Sequence, residues 1–147
     1  MMIKKTMLSL LLLFGSMSYG QESKMVTGYF DNDTVIDTLY YKFNIDSANG
    51  PIYQCTMIRS DKKEKLSFDI GVAFKSFQVS NCGKGCIETY QWKTGMDGFE
   101  EYKTYKYCKE YDNWILKKER TLDADGKEKT TTHKKTITGI DGREYKK

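Results

Sequence analysis

The sequence predicts an all-β domain, an antiparallel sandwich or small barrel-like fold with hairpin connections. Three observations carry this. Apolar residues recur with period two in several separate runs, as strands with one buried face require. Clusters of Gly, Asn, Asp and Ser interrupt those runs at short, regular intervals. The composition also suits pleated sheet, with eleven tyrosines, seven phenylalanines and a single proline.

Ahead of the first strand, the N-terminus predicts a secretory signal over residues 1–20. Lys4 and Lys5 precede the apolar run Met7–Phe14 (MLSLLLLF), and the small residues Ser18 and Gly20 fit a cut before Gln21. The run is too short for a membrane span, which needs about 20 apolar residues. Residues 21–147 are then expected to form one domain, exported to the periplasm or secreted, with no membrane span once the signal is gone. Loss of the two lysines lowers the formal charge from +4 to +2. That modest balance, with a mildly basic C-terminal segment, speaks against a nucleic-acid partner.

The strands follow in order. Leu39, Tyr41, Phe43 and Ile45 share one face, with Tyr40, Lys42 and Asn44 on the other. Leu66, Phe68 and Ile70 alternate with Ser67 and Asp69, and Trp114 and Leu116 stand opposite Ile115 and Lys117. Between such runs lie SANGP (Ser47–Pro51), SDKKE (Ser60–Glu64), NCGKG (Asn81–Gly85), TGMDG (Thr94–Gly98), DADG (Asp123–Gly126) and GIDG (Gly139–Gly142). Asn-Gly and Asp-Gly pairs supply the positive φ of tight hairpins. Phe99–Tyr111 (FEEYKTYKYCKEY) is open between strand, favoured by Tyr and Thr, and helix, allowed by Glu and Lys.

Gly28–Tyr41 (GYFDNDTVIDTLYY) places three aspartates just before a strand. Calcium takes several oxygen ligands, and carboxylates two residues apart on a tight loop can converge on one ion. A DxDxDGxxD loop uses side chains at its first, third, fifth and ninth positions and a backbone carbonyl at its seventh. On that pattern Asp31, Asp33 and Asp37 would supply carboxylates and Val35 a carbonyl. Tyr29 replaces the first ligand and Thr34 the usual glycine, so any site would bind Ca²⁺ weakly. The competing reading is an Asx-type turn opened by Asp31 and Asn32, with Asp33 and Asp37 solvated.

All four cysteines, Cys55, Cys82, Cys86 and Cys108, lie beyond the predicted signal. An even count in an oxidising compartment reads as two disulfides, with three possible pairings. The glycines of CGKGC let Cys82 and Cys86 close a short loop, which leaves Cys55 with Cys108. The same spacing is a poor zinc half-site, with no second Cys/His pair nearby.

The order of an aspartate loop, the aromatic segment Tyr105–Leu116 (YKYCKEYDNWIL) and the threonine-rich Thr130–Tyr145 (TTTHKKTITGIDGREY) resembles a group of small exported bacterial proteins. These carry one aspartate calcium loop and an antiparallel β-domain, and some are related in fold to periplasmic inhibitors of lysozyme-type peptidoglycan hydrolases. The resemblance is a sparse pattern over most of residues 21–147. It implies a binding protein of inhibitor or immunity type that blocks a wall-cutting hydrolase with a protruding loop. Here that loop would be Ser80–Tyr90 (SNCGKGCIETY), with Lys84 at its tip, Gly83 and Gly85 beside it and Tyr90 following. A disulfide would stiffen it and reduce the entropy lost on insertion, and Lys84 could pair with catalytic carboxylates of the target.

Little in the chain suggests an enzyme. The one histidine, His133, sits in a polar strand, and no strained-elbow serine motif occurs. The alternative to an inhibitor is a surface or glycan-binding module, or a purely structural one. Tyr102, Tyr105, Tyr107 and Tyr111 would be its stacking residues.

Overall fold

The computed structural model describes residues 22–147, so the predicted signal over 1–20 lies outside the described residues. The fold is all-β and antiparallel. A four-stranded meander holds β1 (Lys24–Gly28), β2 (Asp37–Asp46), β3 (Gly50–Arg59) and β4 (Glu64–Gly71), paired in that order. A five-stranded meander follows with β5 (Phe77–Asn81), β6 (Cys86–Lys93), β7 (Phe99–Cys108), β8 (Asn113–Asp123) and β9 (Glu128–Thr132). A short C-terminal hairpin, β10 (Ile137–Thr138) and β11 (Glu144–Tyr145), completes the chain. Neither large sheet closes into a barrel. Among the described residues there is no helix long and apolar enough to cross a membrane.

The period-two runs become strands for the reason that predicted them. In β2, Leu39 and Tyr41 are buried between exposed or half-buried neighbours, and in β4 Leu66, Phe68 and Ile70 turn inward while Ser67 and Asp69 face water. Phe99–Cys108 is strand, its Tyr and Thr content prevailing over Glu and Lys because β6 and β8 pair with it on both edges. Ile45 departs from the pattern at 69% exposed, one residue before the end of β2.

One core lies between the sheets. Leu39, Tyr41, Tyr53, Met57 and Ile70 from the first meet Phe77, Val79, Ile87, Tyr105 and Trp114 from the second. Tyr53 stacks on Phe77 with ring centroids 4.5 Å apart, and Tyr41 meets Phe77 edge to face at 6.0 Å. Such pairs add about 1 kcal/mol each beyond area burial. The sheets meet along β1 and β5. There Lys24 Nζ donates to the Phe77 carbonyl at 3.1 Å, and Asn81 Nδ2 lies 3.4 Å from the Thr27 carbonyl. Gly28 is required at this seam, because a Cβ would stand 2.6 Å from Asn81 Nδ2.

Cys82 and Cys86 form the expected disulfide, their Cα atoms 5.1 Å apart. The second expected bridge is absent: Cys55 and Cys108 are both free. Cys55 points into the core from β3, between Tyr41 and Phe68 in register, whereas Cys108 ends β7 in the other sheet, opposite Asn113. Burial pushes the Cys55 thiol up to about 12, which keeps it protonated and inert. A thiol reagent should therefore count two thiols per chain in denaturant without reductant, and Cys55 should react only after unfolding. A count of zero would restore the Cys55–Cys108 bridge.

Candidate functional site

Four connections gather at one end of the sandwich: the β1–β2 loop, the β3–β4 turn, the disulfide loop between β5 and β6, and the β7–β8 turn. The β1–β2 loop is folded by its own carboxylates. Asp37, the first residue of β2 and fully buried, accepts the N–H groups of Phe30 at 3.0 Å and Asp31 at 3.3 Å on Oδ2. Asp31 accepts the Asp33 N–H at 3.4 Å, and Asp33 accepts that of Val35 at 2.9 Å. Asn32 takes the left-handed conformation (φ 65°) that a short polar side chain tolerates. From the far sheet, the Trp114 indole donates to the Phe30 carbonyl at 2.6 Å and pins the loop to the core.

Asp61, in the β3–β4 turn, adds a carboxylate that the local sequence pattern did not flag. Ligand oxygens of Asp31, Asp33 and Asp61 all lie within 4.8 Å of one another. Asp37 stands behind this trio, occupied with loop N–H groups, and Val35 is exposed, its N–H donated to Asp33. Two carboxylate oxygens here are buried without a hydrogen-bond partner among the described residues, Asp33 Oδ2 and Asp37 Oδ1.

The electrostatics follow from the crowding. Burial pushes Asp31 up to about 7, with the hydrogen-bonded Asp33 and the charges of Asp37, Asp33 and Asp61 adding to the rise. Burial also raises Asp37, against the opposing pull of its N–H donors. Asp33 is lowered, chiefly by the Val35 N–H. Carboxylates this close cannot all be charged without a counter-charge, and a hard divalent cation supplies one through oxygen ligands. The orphaned oxygens and the all-oxygen donor set, with Asp31 buried, Asp33 half-buried and Asp61 exposed, fit such an ion.

The disulfide loop packs against the aspartate loop. The Gly85 N–H donates to the Tyr29 carbonyl at 2.8 Å, and the Gly85 carbonyl accepts the Tyr107 N–H at 2.9 Å. Gly85 has φ +68°, and a Cβ there would lie 3.1 Å from that of Asn32. Glycine thus satisfies both the turn and the contact. The Gly83 N–H donates to Asn81 Oδ1 at 2.9 Å. Lys84, at the tip, lines a small recess of 170 Å³ with Tyr29, Asp33 and Thr34. A second recess of 340 Å³ runs beside the aspartates and includes Lys62, Tyr107 and Lys109.

Tyr90 does not belong to this surface. It lies on the outer face of the second sheet, stacked between Trp92 (4.8 Å) and Tyr102 (4.5 Å), with Arg120 over Tyr102 at 4.2 Å. Its hydroxyl donates to Glu100 at 2.7 Å. Of the other tyrosines expected to stack on a ligand, Tyr105 is in the core, Tyr107 donates to Asp112, and Tyr111 packs on Tyr145.

Arg59 supports the turns from beneath. It is fully buried and binds Asp112 in a two-pronged contact at 2.6 and 2.9 Å, with Glu64 as its second partner. Bidentate, charge-assisted geometry of this kind is the stronger class of ion pair. Asp112, at φ 46° in the β7–β8 turn, is held well below the usual carboxylate range, first by Arg59. No protein-family model, curated protein or solved structure matches the chain.

The lowered Asp112 stabilises the fold above its unfolded value of about 4, and that contribution is lost as pH falls through the folded value. Asp112→Asn should cost about 1 kcal/mol at neutral pH, because buried Arg59 keeps Glu64 but loses the second of its two carboxylates, and Asp112 is itself half exposed to solvent screening. Acid unfolding of that variant should also be shallower below pH 4. Equal denaturant midpoints for the two proteins would show that the pair contributes nothing.

Proposed function

We propose that this is an exported binding protein in which a divalent cation, calcium by its donor set, joins Asp31, Asp33 and Asp61 and fixes a protein-recognition surface. The observation that carries this reading is the convergence of three carboxylates, one of them with an unpartnered buried oxygen (Asp33 Oδ2), beside the unpartnered buried Oδ1 of Asp37. When bound, the ion supplies positive charge that lets all the aspartates stay ionised. The chain's own residues do the rest. Asp37 folds the loop, Trp114 anchors it, and Gly85 joins it to the disulfide loop, so order in one loop supports order in the other.

The partner we propose is a peptidoglycan hydrolase of lysozyme type. Lys84 stands at the tip of a disulfide-closed loop, where its ammonium can reach the carboxylates such enzymes use. Preformed loops lose little entropy on docking, which suits a protein that fills a cleft. The secretory signal read from the sequence would bring the two into the same compartment.

Calcium at 100 times its dissociation constant should stabilise the protein by about 2.7 kcal/mol, read as a rise in melting temperature reversed by chelator. Asp61→Asn should remove most of that rise although it lies outside the aspartate run. Excess protein should slow lysis of cell walls by a lysozyme-like enzyme, and Lys84→Ala should weaken the effect about tenfold or more, the loss of one charge-assisted contact. Unchanged lysis across several hydrolase types would end the inhibitor reading while leaving the cation site standing.

A further inference from the structure

The inner face of the second sheet should be apolar throughout if it served only to close a sandwich. It is not. Two cross-strand rows begin in the core on β5 and become polar toward β9. One runs Phe77, Gln91, Glu101, Thr121, and the other Val79, Thr89, Lys103, Glu119. The charged members are only 19–29% exposed: Glu101 19%, Lys103 29% and Glu119 28%. Partly buried charges cost stability, and a fold commonly keeps such violations where it binds something.

These side chains are held in place. Gln91 donates to Glu101 at 2.6 Å and accepts the Ala73 N–H at 3.1 Å. Lys103 bridges Glu101 at 3.3 Å and Glu119 at 3.6 Å, and His133 meets Glu119 at 2.6 Å. Gln91, Glu101 and Lys103, together with the end of β4 and the turn Gly139–Gly142, bound a cleft of 320 Å³. That lies at the small end of the range for ligand pockets, about 300–1,000 Å³.

We infer that this cleft binds a saccharide of one or two rings, uncharged or amine-bearing. Sugar hydroxyls donate and accept at once, and the walls offer both roles: acceptors on Glu101 and Asp141, donors on Gln91, Lys103 and Thr89. Leu116 and Ile140 give an apolar floor for the C–H face of a ring. Arg143 offsets Asp141, and Lys103 lies between Glu101 and Glu119, so acidic groups still outnumber basic ones around the cleft and disfavour anionic ligands such as phosphates or uronic acids. The cleft shares no residue with the aspartate site, so this inference stands apart from the proposed cation and partner.

The test is a titration of isotope-labelled protein followed by amide and side-chain NMR shifts. The probes are cellobiose, the disaccharide of glucosamine and, as an anionic control, glucuronic acid. Saturable shifts at Thr89, Gln91, Lys103 and Gly139 are expected, with a dissociation constant of about 1 mM or tighter, the amino sugar binding better than the neutral one. Gln91→Ala and Glu101→Gln should each weaken binding about tenfold, with melting temperature checked so that unfolding is not read as lost affinity. The inference is overturned if no probe saturates, if glucuronic acid binds best, or if both folded variants bind like the parent.

Discussion

Burial of carboxylates beside one another governs this end of the molecule. Asp31, Asp33, Asp37 and Asp61 come from two connections and a strand start, yet the fold presses them into one volume. Asp37 cannot leave, because its carboxylate holds two backbone N–H groups and the loop would open without it. Asp31 and Asp33 are fixed by their own turn bonds. The arrangement therefore either holds protons, as the raised Asp31 and Asp37 indicate, or holds a cation. The Trp114 anchor and the docked disulfide loop hold this cluster in place from the second sheet.

The two sheets make the crowding possible by bringing distant turns together. β3 and β4 carry Asp61 to the β1–β2 loop through consecutive antiparallel pairing, and the seam between β1 and β5 sets the disulfide loop beside it. Arg59 beneath the turns ties the β3–β4 end to Asp112 of the other sheet. The turns at this end are thereby tied across both sheets.

Much of the fold was legible because it depends on local alternation. The runs at Leu39–Phe43 and Leu66–Ile70 needed only their own period to declare a buried face, and CGKGC needed only its glycines to suggest a closed loop. The Cys55–Cys108 pairing failed because a leftover pair carries no information on which face or sheet each cysteine occupies. Asp61 was invisible for a related reason: its role comes from strand register, and SDKKE reads locally as a solvated turn. Tyr90 follows the disulfide loop closely in sequence, but strand alternation turns it to the outer face, opposite the buried Ile87 and Thr89. The polar inner rows of β6 to β8 mimic an ordinary wet face until the pairing shows which way they point.

We propose that a metal ion resolves the charge conflict among the aspartates. Crystals grown with calcium test it most directly. Electron density for an ion is expected between Asp31, Asp33 and Asp61, with carboxylate oxygens at about 2.3–2.6 Å. Clear density for all three side chains with only water between them, at millimolar calcium, would contradict it.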